Sequence, residues 1–382
     1  MNSHRRMSRG AFEGYLVWVR GAVNATIEGY LREDDPRTGF LYKLLTDYPL
    51  RPAKCLRPAL CMAVVGDALG SERSALPTAT ALELYHNAFL IHDDIEDGAE
   101  LRRGGPALHR EQGVSIALNV GDMLLAMALR PLLANTEHLD LGRALRVMSL
   151  VSEMAVTTAE GQAIELSWIR ESRWAIADED YEDMVARKTA AYSFVTPVRA
   201  GCVVGRVEAD VERKLAAWAH ALGVAFQIHD DILNLVQSHE KTGKERWADL
   251  REGKRTLMLA HFFREAPDAE ARRARALLAA LAVPDAAPPP WVAARVEALV
   301  TAGRLSRDEA RSLLVNAAPE GAGSELFFLL ESRGSLAYAQ ARAAAWSERA
   351  SDLLRALDGA IGNGEHGRFL RSVHAYVIDR EW

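Results

Sequence analysis

Apolar positions along the 382-residue chain recur mainly at helical spacing, and strand-type alternation is sparse. Residues 11–32 carry an amphipathic pattern that stops at Asp34-Asp35-Pro36-Arg37-Thr38-Gly39, a cluster of helix breakers. Further helices are expected over about 54–66, 74–94, 113–133, 141–169, 180–204, 208–236 and 255–264. The stretches 113–133 and 141–169 are apolar enough to read as long buried helices. Polar loops are expected at 98–113 and 237–254. The Pro-Asp-Ala-Ala-Pro-Pro-Pro-like residues 284–290 form a linker or long turn, and Gly321-Ala322-Gly323 reads as another turn. The expectation is an all-α protein, a single domain over 1–382. Its chemistry-bearing motifs lie in about 50–262, and the helices of 263–382 complete the bundle.

One stretch occurs twice. Ala-Phe-Leu-Ile-His-Asp-Asp-Ile at 88–95 returns as Ala-Phe-Gln-Ile-His-Asp-Asp-Ile at 225–232. Each copy sets an acidic pair at the end of an apolar run. On a helix Asp93 and Asp97 are i,i+4 neighbours, with Asp94 beside them. The second copy repeats the pattern at Asp230, Asp231 and Asn234. Like charges so close need an offset. Hard cations such as Mg²⁺ supply it, taking a few carboxylates and filling their shell with water and phosphate oxygens. A single Asp-Asp pair is as often a solvated helix face; the apolar flanks and the recurrence favour function.

Composition narrows the class. Hydrophobic residues make up 49% and charged residues 26%, an ordinary globular balance. The net charge of −6 gives no general basic character, so nucleic acid is not an expected partner. Cys55, Cys61 and Cys202 are odd in number and lack metal-ligand spacing, which fits a reducing cytoplasm rather than a disulfide framework. Arg5, Arg6 and Arg9 are followed by no apolar core, so no export signal is read, and no uncharged run of about 18 apolar residues is expected to span a membrane.

Groups suited to phosphate surround the acidic copies in order. Lys54 and Arg57 stand i,i+3 at a helix start, where free N–H groups also favour anions. His86 lies seven residues before Asp93. Arg102 and Arg103 follow the first patch, and guanidinium forks bind phosphate in bidentate fashion. Lys188-Thr189 lies mid-helix, and Gly243-Lys244 with Gly253-Lys254-Arg255-Thr256 follows the second patch. Singly, each has an ordinary reading: a solvated cation, a core histidine, or structural hydrogen bonds at Gln162 and Gln227. The ordered set suits a diphosphate bridged to protein through metal.

With these residues the chain resembles the trans-isoprenyl diphosphate synthases of the polyprenyl synthetase family. Asp93-Asp94-Ile95-Glu96-Asp97 resembles the first aspartate-rich motif, with Leu101-Arg102-Arg103-Gly104 as its sequel. Lys54-x-x-Arg57-Pro58, Lys188-Thr189 and Phe226-Gln227-Ile228-x-Asp230-Asp231 match further motifs, and Tyr376-Val377-Ile378-Asp379-Arg380 resembles the C-terminal close. The resemblance implies a bundle of ten or more helices around a central cavity and head-to-tail condensation of isopentenyl diphosphate with an allylic diphosphate, in a homodimer. It implies three Mg²⁺ ions, replaceable by Mn²⁺, held by Asp93, Asp97 and Asp230, with Asp94, Asp231 and Asn234 in support. The allylic diphosphate would meet Arg102, Lys188, Lys244 and Lys254. Isopentenyl diphosphate would meet Lys54, Arg57, His86 and Arg103. Thr189 and Gln227 would orient the diphosphate or stabilise the cation. Tyr85, Ala88 and Phe89, below Asp93, would set chain length: one large and one small residue next to the patch imply a twenty-carbon geranylgeranyl product, with fifteen- or twenty-five-carbon products as alternatives.

Two departures from the family pattern stand out: Asn234 where many members have Asp, and Ala53 where glycine is usual before Lys54. The segment 284–290 is also longer than usual. A class I terpene cyclase uses a similar first motif. Its second motif, Asn-Asp-x-x-Ser-x-x-x-Glu-like, is missing here, however: four on from Asp231 is Leu235 rather than Ser, and eight on from Asn234 is Thr242 rather than Glu. A silent partner subunit would have lost an aspartate motif, and this chain keeps both.

Overall fold

The computed structural model describes residues 6–31, 37–236, 247–282, 290–302 and 304–378. Lys244, most of the proline-rich segment and residues 379–380 lie outside them. The described residues form more than ten helices, and their one strand pairing is two residues long. The all-α expectation holds. Contacts divide the chain into two compact units: Met1–Ala163 with Glu182–Gln227 and Ala343–Trp382, and Ile164–Tyr181 with Ile228–Arg342.

The first unit is built on helix α4, Leu76–Glu96, which packs against α1 (Arg9–Tyr30), α3 (Leu56–Leu69) and α6 (Val114–Met127). Its Ala-rich first turns are buried on every side, from Thr78 through Leu84, as befits a core helix. Each fully buried Leu contributes roughly 1.5–3 kcal/mol. Its last turn emerges into the first acidic patch. Helix α1 starts at the Ser8 cap and buries Phe12, Val19, Val23 and Ile27 along one stripe. Phe12 stacks on Phe369, ring centroids 4.8 Å apart, which ties α1 to the C-terminal helix Glu365–Ile378.

Several elements differ from the sequence reading. Helix α2, Gly39–Leu50, carries Pro49 and was not foreseen. The expected loop 98–113 contains the hairpin of β1 (Leu101–Arg102) with β2 (Gly105–Pro106), then α5 (Leu108–Gln112). The stretch 113–133 breaks into α6 and α7 (Leu129–Ala134), and it is only half buried: Leu118, Leu129 and Leu133 are exposed, as are Leu141, Leu145 and Val156 on α8 (Leu141–Arg170). By length and composition alone the segment Val114–Glu137 could cross a membrane, although Asp122 and Arg130 interrupt its apolar run, in keeping with the sequence reading. Its inner face, from Ala117 to Met127, is nevertheless packed into the core. The single helix expected over 180–204 is α9 (Asp178–Val185), a π-helical stretch Ala186–Val195, and α10 (Thr196–Val204).

The second unit takes the end of α11, Ala209–Val236, then α12 (Ala248–Arg251), α13 (Leu257–Glu265), α14 (Asp268–Leu281), α15 (Pro290–Thr301) and α16 (Arg307–Ser332). Thr256 caps α13, and Ser306 with Glu309 forms a capping box on α16. Helix α16 runs unbroken through Gly321-Ala322-Gly323, which is therefore no turn. The glycine serves packing instead: a Cβ on Gly323 would lie 2.5 Å from the Trp247 indole.

Candidate active site

Helix α4 delivers the first patch, and its residues divide sharply by burial. Asp94 has no exposed surface. One of its oxygens accepts a 2.6 Å hydrogen bond from the Tyr48 hydroxyl of α2. The other accepts from Arg102, whose Nε lies at 2.7 Å. Burial alone would lower the Arg102 pKa, but Asp94 and Asp93 raise it above its ordinary value. Asp93, one residue earlier, is partly exposed, with Lys188 Nζ at 3.6 Å from one oxygen and Arg102 at 3.7 Å from the other. Asp97 closes the helix, its N–H bonded to the Asp93 carbonyl. Glu96 accepts a 2.6 Å bond from Gln162 of α8.

The hairpin sends two adjacent arginines to different partners. Arg102 pairs with Gly105 across it, leaving Arg103 and Gly104 as a two-residue turn with φ of 52° and 79°. Positive φ at both positions marks a type I′ turn, an uncommon conformation for arginine. Arg103 then reaches His86 Nε2 at 3.1 Å, Asn87 Oδ1 at 3.2 Å and the Tyr48 carbonyl at 3.0 Å. Burial, then Arg57, Arg103 and Arg102, push the His86 pKa well below its ordinary value. The ring is neutral, so its Nε2 accepts from Arg103. Arg57 lies over the Tyr192 ring at 4.3 Å and donates to Ser193 at 2.7 Å, and the His86 and Tyr192 ring centroids are 5.9 Å apart. Arg57 and the neutral His86 thus flank Tyr192, and Arg103 joins the group through His86. Lys54 is exposed, its amino group 5.0 Å from the Tyr376 ring. Ala53 keeps its carbonyl on Arg20 at 3.1 Å. Below Asp93, Phe89 meets Tyr85 at 6.0 Å and Tyr192 edge-on at 5.7 Å, whereas Ala88 is fully buried.

Lys188 and Thr189 ride on the π-helical stretch. Such stretches are rare and concentrate at functional sites. Two glycines let neighbouring helices close on it. A Cβ on Gly161 of α8 would lie 2.3 Å from the Lys188 backbone nitrogen, and one on Gly223 of α11 would lie 2.5 Å from the Ala190 Cβ. Thr189 donates to Gln227 Oε1 at 2.8 Å.

In the second unit, Asp231 is buried and accepts a 2.7 Å bond from the Tyr181 hydroxyl. Asn234 donates to Asp249 at 2.7 Å and approaches Asp230 at 3.5 Å. This explains the departure at 234: an aspartate there would set a carboxylate against Asp249. Lys254 pairs with Glu252 at 2.6 Å and with Asp249 at 3.4 Å. A small cavity is lined by Asp231, Asn234, Trp247, Asp249 and Thr256.

Sequence reading missed Tyr48, Tyr181, Tyr192, Asn87 and Asp249. No local signal marks the two pinning tyrosines, because their partners lie 46 and 50 residues away. Among the described residues no three or more His, Cys, Asp or Glu side chains are assembled as a ready metal cage. The donors present are hard carboxylates beside cationic side chains. That set fits Mg²⁺, which keeps waters and takes most of its remaining ligands from substrate phosphates.

A helical fold with a carboxylate patch beside an arginine-histidine group suits an enzyme that handles a diphosphate. The chain belongs to the polyprenyl synthetase family, whose model matches residues 39–284. It is a transferase, an isoprenyl diphosphate synthase. It is 32% identical over 249 residues to a geranylgeranyl diphosphate synthase of Sulfolobus acidocaldarius, covering 65% of this chain and 73% of that one. A geranylfarnesyl diphosphate synthase of Aeropyrum pernix is 34% identical over 216 residues, 56% and 67% of the two chains. In fold it resembles the geranylgeranyl pyrophosphate synthase of Corynebacterium glutamicum complexed with isoprenyl diphosphate and magnesium. The TM-score is 0.77 at 21% identity, over 97% of this chain and 99% of that one.

Proposed function

We propose that the protein joins isopentenyl diphosphate head-to-tail to an allylic diphosphate and releases geranylgeranyl diphosphate. The observation that carries this reading is the partly exposed Asp93 between Lys188 and Arg102, one turn above the aromatic set Phe89, Tyr85 and Tyr192. Asp93, Asp97 and Asp230 are the proposed metal ligands, for three Mg²⁺ ions or Mn²⁺ in their place. Asp94, Asp231 and Asn234 hold them in position. When bound, the metal offsets charge on the leaving diphosphate. Lys188, Arg102 and Lys254 add positive charge to that group, as Lys244 does in this reading. Lys54, Arg57, His86 and Arg103 hold isopentenyl diphosphate, the neutral His86 donating from Nδ1. Thr189 and Gln227 face the reacting carbons, and apolar walls exclude water that would quench a cation. The departing diphosphate takes the final proton, so no side-chain base is required.

The named relatives include both twenty- and twenty-five-carbon synthases. Phe89 favours the shorter, because its ring meets Tyr192 and closes the space below Asp93. The proposal extends to one catalytic domain over the whole chain, a homodimer, and a cytoplasmic setting in keeping with three unpaired, buried cysteines. The deciding experiment incubates purified protein with Mg²⁺, isopentenyl diphosphate and dimethylallyl diphosphate, then separates the dephosphorylated products. Geranylgeraniol as the main product is the expected result. A fifteen-carbon stop or a longer ladder refutes the length, and a cyclised hydrocarbon refutes the reaction.

A further inference from the structure

The duplicated octamer is mirrored by a duplicated support that neither motif contains. In the first copy the second aspartate, Asp94, is fully buried and accepts from the Tyr48 hydroxyl at 2.6 Å. In the second copy the equivalent Asp231 is 7% exposed and accepts from the Tyr181 hydroxyl at 2.7 Å. Both tyrosines are buried, at 0% and 1% exposure. They come from unrelated places, 46 and 50 residues upstream of their partners. A phenol keeps its proton at neutral pH, so each hydroxyl donates to the carboxylate it faces.

A buried carboxylate without a donor is costly, so each pair fixes both the rotamer and the depth of its aspartate. The neighbouring aspartate follows through one peptide unit. At the first patch the coupling reaches further. The Tyr48 oxygen also accepts the Leu108 N–H at 3.0 Å, and Asp94 holds Arg102, so one hydroxyl ties the patch to the start of α5 directly and to the arginine hairpin through Asp94.

We propose that Tyr48 and Tyr181 are positioning residues of the two metal-binding carboxylate patches, each orienting its patch through a hydrogen bond to the second aspartate. The inference rests on the metal reading given above. Partners that orient metal ligands from outside typically contribute about 10–100-fold in metal affinity.

The test measures Mn²⁺ binding to the full chain in the presence of inorganic diphosphate, by electron paramagnetic resonance of the free ion. Tyr48→Phe and Tyr181→Phe should each weaken binding by about tenfold or more while melting cooperatively. Tyr15→Phe is the control, since it removes another buried hydroxyl, one that meets His366 at 3.3 Å. It should bind Mn²⁺ like the wild type. Affinities of both patch variants within about twofold of wild type overturn the inference. An equal loss in Tyr15→Phe overturns it too, because the effect then belongs to any buried hydroxyl. A wild-type chain that binds no Mn²⁺ with diphosphate present overturns the metal reading itself. If Tyr48→Phe fails to fold, Tyr181→Phe decides the question by the same measure.

Discussion

At Asp93, Lys188 and Arg102 stand 3.6 and 3.7 Å away and the carboxylate is partly exposed, whereas Asp94 is fully buried and Arg102 closes on it. In the proposed metal reading, that contrast separates a carboxylate open to a ligand from one held inside the protein. Asp93→Ala and Asp230→Ala should therefore each lower turnover by about a thousandfold or more, since several kcal/mol of charge stabilisation is lost. Chelation with EDTA should abolish it, and full turnover in excess chelator would refute the metal role. Product length is the second residue-scale matter. Phe89→Ala should lengthen the product by at least one five-carbon unit, because it opens the aromatic contact with Tyr192. Ala88→Phe should shorten it and also lower the melting temperature, because Ala88 has no exposed surface and a ring there overpacks the core. An unchanged product distribution in both variants would remove these residues from the cavity floor.

The π-helical stretch is the element on which the site turns. Its register sets where Lys188 and Thr189 point, and Gly161 and Gly223 allow α8 and α11 to close against it. A methyl group at Gly161 would sit 2.3 Å from the Lys188 nitrogen, which is backbone and cannot swing aside. Gly161→Ala should cost about 1–3 kcal/mol and reduce turnover with it. Thermal melting and steady-state rates on one preparation test this, and a wild-type melting curve would show that the helices tolerate separation. The motif residues at 188–189 were legible as a pair. The π geometry was not, because its sequence has ordinary helical spacing and the extra residue per turn answers to neighbours distant in the chain.

For the whole molecule, Leu118, Leu129, Leu133, Leu141 and Leu145 are all exposed, on three successive helices from α6 to α8, and apolar side chains left in water gain from a cover. Such a set accords with a second copy of the chain as its cover, so light scattering at micromolar concentration should give the dimer mass. A monomer there refutes the assembly. Acid stability is a second property of the whole. His374 is buried against Ser351, and burial, then Arg6, lowers its pKa to about 4. An unfolded histidine takes a proton near pH 6.5, so the unfolded chain binds the extra proton between there and about pH 4. The His374 contribution is intact above 6.5 and is lost as pH falls through that window, by up to about 1.4 kcal/mol per pH unit. His86 acts in the same direction. Urea midpoints measured from pH 7.5 to 4.5 should fall, and His374→Gln should flatten the fall; parallel curves for the two chains would refute this origin.

Helical periodicity, the duplicated octamer and the order of basic motifs are all local patterns, so the sequence alone determined the all-α class, the two aspartate patches and the family resemblance. A 3.6-residue period also places Asp93 and Asp97 on one face without knowledge of any partner. It does not say which aspartate of each pair turns inward. Tertiary structure decided that Asp94 and Asp231 do, through Tyr48 and Tyr181, and that Arg102 and Arg103 part company at a type I′ turn. It also decided that Asn234 answers Asp249 and that Gly323 continues a helix beneath Trp247 rather than ending it. Each of these depends on a group tens of residues away in sequence, or on which backbone closes on which, and contacts of that kind leave no periodic trace along the chain.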